Sequence, residues 1–377
     1  MRPIIYASVA TALAATGAFS AAQAKQVVPM HTQDVTKTVT QAFRSVAVSA
    51  DYGAITLRPG RRATVHAHEE WNVRQPTLAI DVSHGVLHVT ISCNGDISVG
   101  NVVTVAGALD QANDCIDALT LILPATVPVE ANTSSGDISS VGAHAGVKLS
   151  TDSGNVSVRD AAGPQVDAAS GNGTVTGSDI SASSVSLDSD SGDAAATGID
   201  AHSLTIKSGN GAVTVQSTRS AVLTAASDSG DVTLHSVTGT AMTLNSGDGT
   251  ITATGVAGRN LNAQDDSGDV NLSDAHLRTV QLSSGQGNLT ARHLQAQTTS
   301  LHSDAGIITA ALDNKPQTLT ATSGNGDVNI DVPTGRYDIA ADSDNGTVHV
   351  TGLIIDTSVR PYIRAHSDAG NVTISGH

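Results

Sequence analysis

Between Ala131 and Arg336 the chain has no Phe, Tyr or Trp, and aromatics make up 2% of its 377 residues. A core built without rings has to be thin. Val, Ile, Leu and Ala can fill a narrow space between stacked sheets, whereas a wide sandwich needs larger side chains. The same absence removes the ring platforms on which sugars stack. Lysine is almost missing from this region too (Lys148, Lys207 and Lys315), which argues against the mixed Asp, Lys and Arg clusters of β-helical polysaccharide-cleaving enzymes. Over the whole chain 19 Lys and Arg face 35 Asp and Glu, a formal charge of −16. That balance excludes nucleic acid and anionic lipid as expected partners. It suits a soluble exported protein, or one that collects cations. The two cysteines, Cys93 and Cys115, lie in no paired Cys or Cys/His spacing, so a zinc site is not expected. Helical periodicity is absent, and downstream of Ala24 no apolar run is long enough to span a membrane as a helix.

Met1 to Ala24 has the build of a signal peptide: Arg2, an apolar Ala-rich stretch from Ile4 to Phe19, and a small-x-small end at Ala22-Gln23-Ala24. A membrane anchor is the rival reading, opposed by the short length and by Ser8, Thr11 and Thr16. Lys25 rather than Cys follows, so a lipid anchor is not expected there. Export to the periplasm, the cell surface or the medium places the chain where disulfides persist, and a Cys93–Cys115 bridge is the expectation. Two buried free thiols are the alternative.

One glycine recurs through the rest: Gly136, Gly154, then every 19 residues to Gly306, then Gly326, Gly346 and Gly370. Two places after each stands a small or aliphatic residue, such as Val156, Val175, Val213, Val232, Ile251 or Val270. The next position is mostly Thr, Ser or Asn. Seven and five places before each glycine comes a second apolar pair, for example Val185 with Leu187, or Met242 with Leu244. Alternation of period two with β-branched residues marks half-buried strands. Each unit is therefore strand, Gly-rich turn, strand, looser turn. The expected fold is all-β: a β-solenoid, parallel and β-helix-like, of 19-residue strand-turn-strand units. An antiparallel meander barrel is the weaker alternative.

Two places before the glycine, Asp and Gly alternate: Asp190, Gly209, Asp228, Gly247, Asp266, Gly285. The sequence period is thus 38. The preferred reading pairs two units into each 38-residue coil, with Asp turns on one edge, Gly-x-Gly turns on the other, and a rod of roughly 30 Å. A flat 19-residue coil would double that length and alternate the turns along one edge.

Four segments follow: a signal peptide at 1–24, an extended or disordered lead at 25–40, an N-terminal β capping module at 41–130, and the solenoid with a C-terminal cap at 131–377. In the module, strands are expected at Ser45–Ser49, Ala54–Leu57, Ala63–Ala67, Thr77–Val82 and Val86–Ile91, with a turn at Asp51-Tyr52-Gly53. Gly100 to Ala118 is expected as a loop pinned back to Cys93. The last turn, Asp368-Ala369-Gly370, is expected to close the array. Neither a sorting signal nor a hydrophobic tail is expected at Ser375-Gly376-His377.

Leu119-Thr-Leu-Ile-Leu-Pro124, then Val127-Pro-Val-Glu-Ala-Asn132, then Ser134-Ser-Gly-Asp-Ile138 resembles the putative-adhesin β-strand-repeat family of bacterial exported proteins. The likeness extends from about Phe43 to the C-terminus. It implies a β-solenoid with recurrent Ser-Gly-Asp turns, in a domain of unknown function.

Candidate chemistry is sparse. Asp190 with Asp193, Asp228 with Asp231, and Asp266 with Asp269 recur every 38 residues. In 38-residue coils they would stack about 5 Å apart, and calcium would relieve the repulsion. The alternative is Asp that caps its own turn amides and faces water. His66 and His68 share a strand face, as two metal ligands would; exposed strand histidines are the commoner case. Gly171-Asn172-Gly173 is a turn and not a phosphate loop, since no helix follows. No catalytic residue and no resident cofactor is expected. The favoured function is a non-enzymatic, exported, adhesin-like protein whose polar sheet faces bind an envelope glycan or protein through many weak contacts. A polysaccharide-processing enzyme on the same scaffold and a calcium-stabilised rod are the alternatives.

Overall fold

A computed structural model describes residues 30–72, 74–93 and 115–377. The expected signal peptide, the start of the lead and the centre of the expected loop lie outside the described residues. Every regular element among the described residues is a strand.

Each repeat unit makes one coil by itself, and the expected pairing of two units per coil does not occur. Val175 lies in parallel register beside Val156, and Ala194 beside Val175. The long strand follows suit, with Val185 beside Val166 and Leu204 beside Val185. Each coil has a short strand such as Val175–Ser178 and a long one such as Ser181–Ser189. The two face each other across one interior. Stacked at about 4.8 Å per rung, the coils make a rod of roughly 60 Å. Alternating side chains explain the interior: Val175, Ile180, Val185 and Leu187 are all 1% exposed or less. Four such side chains contribute roughly 6–12 kcal/mol of gross burial per coil, before the cost of ordering the chain.

Alternate Asp and Gly residues have a rung-to-rung cause. A Cβ on Gly209 would overlap the carbonyl of Asp190, and one on Gly247 that of Asp228. The Gly-x-Gly turn is the form that fits onto an Asp-Ser-Gly turn one rung away, along the same edge. A second corner lies six residues after the repeat glycines from Gly136 to Gly287. Asp160, Asp179, Ser217, Ser236 and Asp274 there have φ of 50–55°, and Gly198 and Gly255 have 66°. Short polar residues and glycine tolerate that left-handed geometry best.

At the N-terminal end β2 (Ser45–Pro59) runs unbroken where a turn was expected. It turns a corner near Gly53, whose φ is 128°. Its first half lies between β5 (Val86–Ser92) and β7 (Val129–Ser135). Its second half lies between β6 (Cys115–Leu123) and β8 (Ile138–Val141). Beyond these, the parallel stacking ends. β4 (Thr77–Ser83) pairs antiparallel with β5. β3 (Thr64–Trp71) pairs antiparallel with β6, and β1 (His31–Thr38) with β3. Within the lead His31–Thr38 is therefore an edge strand, and Cys115–Ala118 belong to a strand rather than a loop.

The C-terminal end departs from chain order. Strand Tyr362–Ser367 sits between Thr318–Ser323 and Arg336–Ser343. Val372–Gly376 likewise sits between Val328–Val332 and Val348–Thr351. The Gly370 coil is thus the penultimate rung, and the coil of Gly346 is outermost. Its inward position Val348 is 43% exposed, whereas Val328 and Val372 are fully buried. Tyr337, fully buried, closes the interior here, donating its hydroxyl to the Pro333 carbonyl at 2.7 Å beneath the Lys315 ammonium.

Candidate binding surface: the glycine edge and the flat faces

The glycine edge is held by a buried hydroxyl that the sequence reading overlooked. Three residues before each repeat glycine stands Ser or Thr, with one exception. Ser189 Oγ accepts the Gly192 N–H at 2.8 Å and donates to the Gly173 carbonyl of the preceding coil at 2.8 Å. Ser208, Ser227, Ser284 and Ser303 repeat both bonds. One hydroxyl thus satisfies a turn amide and the carbonyl of the preceding coil. A Ser or Thr at a fixed offset in nearly every unit was the available signal.

The six turn carboxylates line this one edge. Because one unit makes one coil, Asp190, Asp228 and Asp266 lie two rungs apart, about 10 Å, with Gly209 and Gly247 between them. The 5 Å stack on which the calcium expectation rested does not form. One oxygen of each partner is also engaged. Asp193 Oδ1 accepts the Ala212 N–H, Asp231 Oδ1 that of Thr250, and Asp269 Oδ1 that of Asn288, at 2.7–2.9 Å. These aspartates tie one coil to the next. Among the described residues, none of the six belongs to a cluster of three close metal-ligating atoms.

Two such clusters do occur. Asp342, Asp344 and His366 converge on the outermost coils. His366 Nδ1 meets Asp342 at 2.9 Å and Nε2 meets Asp368 at 2.7 Å. Those bonds, Asp368 first, raise its pKa, and through them the ring clamps adjacent rungs. The other is Cys93, Cys115 and Asp117, but the two sulfurs form the expected disulfide, with Cα atoms 5.9 Å apart, and offer no thiolate. Asp117 Oδ2 lies 3.2 Å and 3.5 Å from those sulfurs, and the buried Oδ1 has no hydrogen-bond partner. Burial, then the charges of Glu69 and Asp51, push the Asp117 carboxyl up to about 7. On β3, His66 bonds Thr36 at 2.9 Å, while His68 bonds Asp34 at 2.7 Å and Glu70 at 3.2 Å. The two histidines are spent on cross-strand contacts with β1 and a strand neighbour.

The faces are ladders of like residues. On the short-strand face Thr176, Thr214, Thr233, Thr252 and Asn271 point outward from successive or near-successive rungs. On the long-strand face Ser186, Thr205, Thr224, Thr243 and Asn262 do the same. The long-strand face presents hydroxyl and amide groups at the rung spacing, and the short-strand face does so with one interruption at Ala195.

A family model described as Toastrack DUF4097 matches residues 43–239 and again residues 217–374. No protein of curated function matches the chain. Among solved structures, a putative adhesin from Parabacteroides distasonis is similar at 11% identity, over 74% of this chain and 96% of that one, with a TM-score of 0.37. A putative adhesin from Parabacteroides merdae is similar at 13% identity, over 74% and 95%, with a TM-score of 0.35. A putative cell adhesion protein from Clostridium sporogenes shares 11% identity over 92% and 100%, with a TM-score of 0.22. The two family matches take in the N-terminal module and the array alike, and the chain belongs to the Toastrack DUF4097 family.

Proposed function

We propose that the chain is a non-enzymatic, exported, adhesin-like protein that works in the periplasm or at the cell surface and binds an envelope glycan or protein along its flat faces. The observation that carries this reading is the in-register polar ladder. A ligand with its own short repeat meets hydroxyl and amide groups at every rung from Ser186 to Asn262 on the long-strand face. Each contact is weak, and their number sets the avidity. The rigid stack has already ordered these side chains, which lowers the entropy lost on binding. The solved structures named as putative adhesins agree with this reading.

The test is length. Removing residues 211–248, two whole coils with one Asp turn and one Gly-x-Gly turn, keeps the register of the remaining stack. Pull-down from an envelope extract should recover a partner with the full chain and distinctly less with the shortened one. Equal recovery would place binding at one end and remove the multivalent reading. No partner from any envelope fraction would remove the adhesin-like reading altogether.

A further inference from the structure

The edge opposite the glycines changes form between the Gly249 and Gly287 coils. Up to Asp265 the second residue of each long strand is small, from Gly163 and Ala182 to Gly239 and Gly258. A Cβ on Gly258 would overlap the Gly239 carbonyl, so that rung is bare. In the next coil the path breaks between strands Val270–His276 and Thr279–Ser284. There Leu277 turns inward and Arg278 outward. The coil after repeats this with Ala296 buried and Gln297 exposed. The step leaves an open concavity of about 480 Å³, lined by Arg259, His276, Arg278, Gln295, Gln297 and Asn314 among others.

The chemistry of this lining is one-sided. It holds two guanidinium groups, an imidazole and three amides, and no carboxylate, in a chain with a formal charge of −16. Arg278 N–H bonds the Arg259 carbonyl at 2.9 Å, so the two arginines leave from adjacent rungs of one ladder. Neither has an ion pair among the described residues. Arg278 Nε donates to Gln297 Oε1 at 3.3 Å, which steers that guanidinium and leaves the Gln297 amide N–H free to donate. Asn314 is spent on the Ala296 backbone and shapes the floor. Like charges held at the rung spacing of about 4.8 Å would repel by about 1 kcal/mol even in water. An oxyanion bridging them reverses that sign and accepts forked hydrogen bonds from both.

We infer that this concavity binds an oxyanion carried on a saccharide, a uronate carboxylate or a sulfate ester. The arginine pair takes the charged group, and Gln295, Gln297 and His276 reach the neighbouring hydroxyls. The inference names a ligand class for the adhesin-like reading and rests on it. The negative edge does not forbid an anion here. At 0.15 M salt, charges beyond about 8 Å are largely screened, and the lining itself is cationic.

The test is titration calorimetry with the full mature chain at 0.15 M salt, using trigalacturonate, a sulfated chondroitin tetrasaccharide and neutral galactotriose as probes. One or both anionic probes should bind, and the neutral one at least tenfold more weakly. Which anionic probe binds distinguishes carboxylate from sulfate. An Arg259→Gln/Arg278→Gln variant should weaken binding at least tenfold with an unchanged melting midpoint. Arg292→Gln, outside the concavity, should leave it unchanged. Equal binding of the neutral probe, equal loss in Arg292→Gln, or no binding of either anion at millimolar concentration overturns the site. Oligosaccharide binding by purified protein that recovers no envelope partner would separate this inference from the broader one.

Discussion

In the array each stabilising contact is made again one rung further on, while in the N-terminal module almost none is. A Ser rung, a glycine fitted onto a carbonyl and an Asp tie recur from coil to coil. The module has single devices instead: one disulfide, one buried carboxyl against it, and three antiparallel strands that end the parallel stack. Repetition lets a small set of residue types suffice, but it makes each glycine answer to the rung beneath it. In the module a residue answers mainly to its own surroundings.

Glycine substitutions break this comparison most sharply. A Cβ on Gly287 would overlap the Gly268 carbonyl, and backbone on both sides is fixed by the stack. Gly287→Ala should cost upward of about 4 kcal/mol, among the largest single-residue effects. Gly85, in the turn between β4 and β5, has φ of 82°, but the nearest atom to a Cβ there is Arg44 Cδ at 4.0 Å. Gly85→Ala should cost only about 1–2 kcal/mol, the strain of a left-handed alanine. Urea midpoints of the two variants decide it, and equal shifts would refute the rung-on-rung account.

Opening the disulfide comes next. Cys93 and Cys115 are 22 residues apart, and releasing a loop of that length costs about 3 kcal/mol in the chain-entropy account. Neighbour-only coupling in a stack predicts where the loss appears. In a Cys93→Ser/Cys115→Ser variant, amide exchange should quicken in β3 to β6 and stay unchanged beyond about Val213. Uniform acceleration along the rod would show that the module and the array unfold together.

The Asp117 carboxyl sharpens the contrast through pH. Its folded pKa of about 7 lies above the unfolded value of 3.8. Its contribution to stability is therefore complete below about pH 4 and lost as pH rises through 7. Asp117→Asn keeps the shape without the charge. It should match the native chain at pH 4 and exceed it by about 2 kcal/mol at pH 8. A gap independent of pH would mean that packing, and not the buried charge, carries the effect.

Asp117 also marks what the sequence made legible. The glycine period and the alternating aliphatics revealed the solenoid, because each is a local requirement of a strand or a turn. Cys93–Cys115 followed from compartment and count. The 38-residue coil was misjudged because Asp/Gly alternation looks the same whether like turns stack or unlike turns interlock. Interlocking depends on a glycine meeting the carbonyl of a neighbouring rung, which no single strand displays. The inserted Gly370 coil was invisible for a similar reason, since the wider glycine spacings at that end fit either order. Asp117 was readable in principle: in Cys115–Leu123 the odd positions are Cys115, Asp117, Leu119, Leu121 and Leu123, all inward. Glu69 follows Val65 and Ala67 in the same way on β3. The arginine concavity depends on two corner shapes meeting, and its residues carry no pattern of their own.

The smallest effect is expected where the array breaks its own rule. Asp265 stands where its neighbours have Ser246 and Ser284, and it is 1% exposed. Its Oδ1 accepts the N–H groups of Ser267 and Gly268, as a serine hydroxyl would. A carboxylate has no proton to hand on, so the bond that Ser284 Oγ donates to the Gly268 carbonyl has no counterpart one rung back, at Gly249. Asp265 Oδ2 is left buried without a partner. Burial, outweighing the backbone bonds from Gly268 and Ser267, raises its pKa. A raised folded pKa again means stability that is present at low pH and lost as pH climbs through that value. Asp265→Ser should therefore gain on the order of 1 kcal/mol at pH 8, the worth of one restored hydrogen bond, and little at pH 4. Ser246→Asp should create the same deficit one rung away. If Asp265→Ser destabilises at both pH values while Ser246→Asp is neutral, the hydroxyl ladder is incidental to the stack, and the array is held by its aliphatic interior and backbone alone.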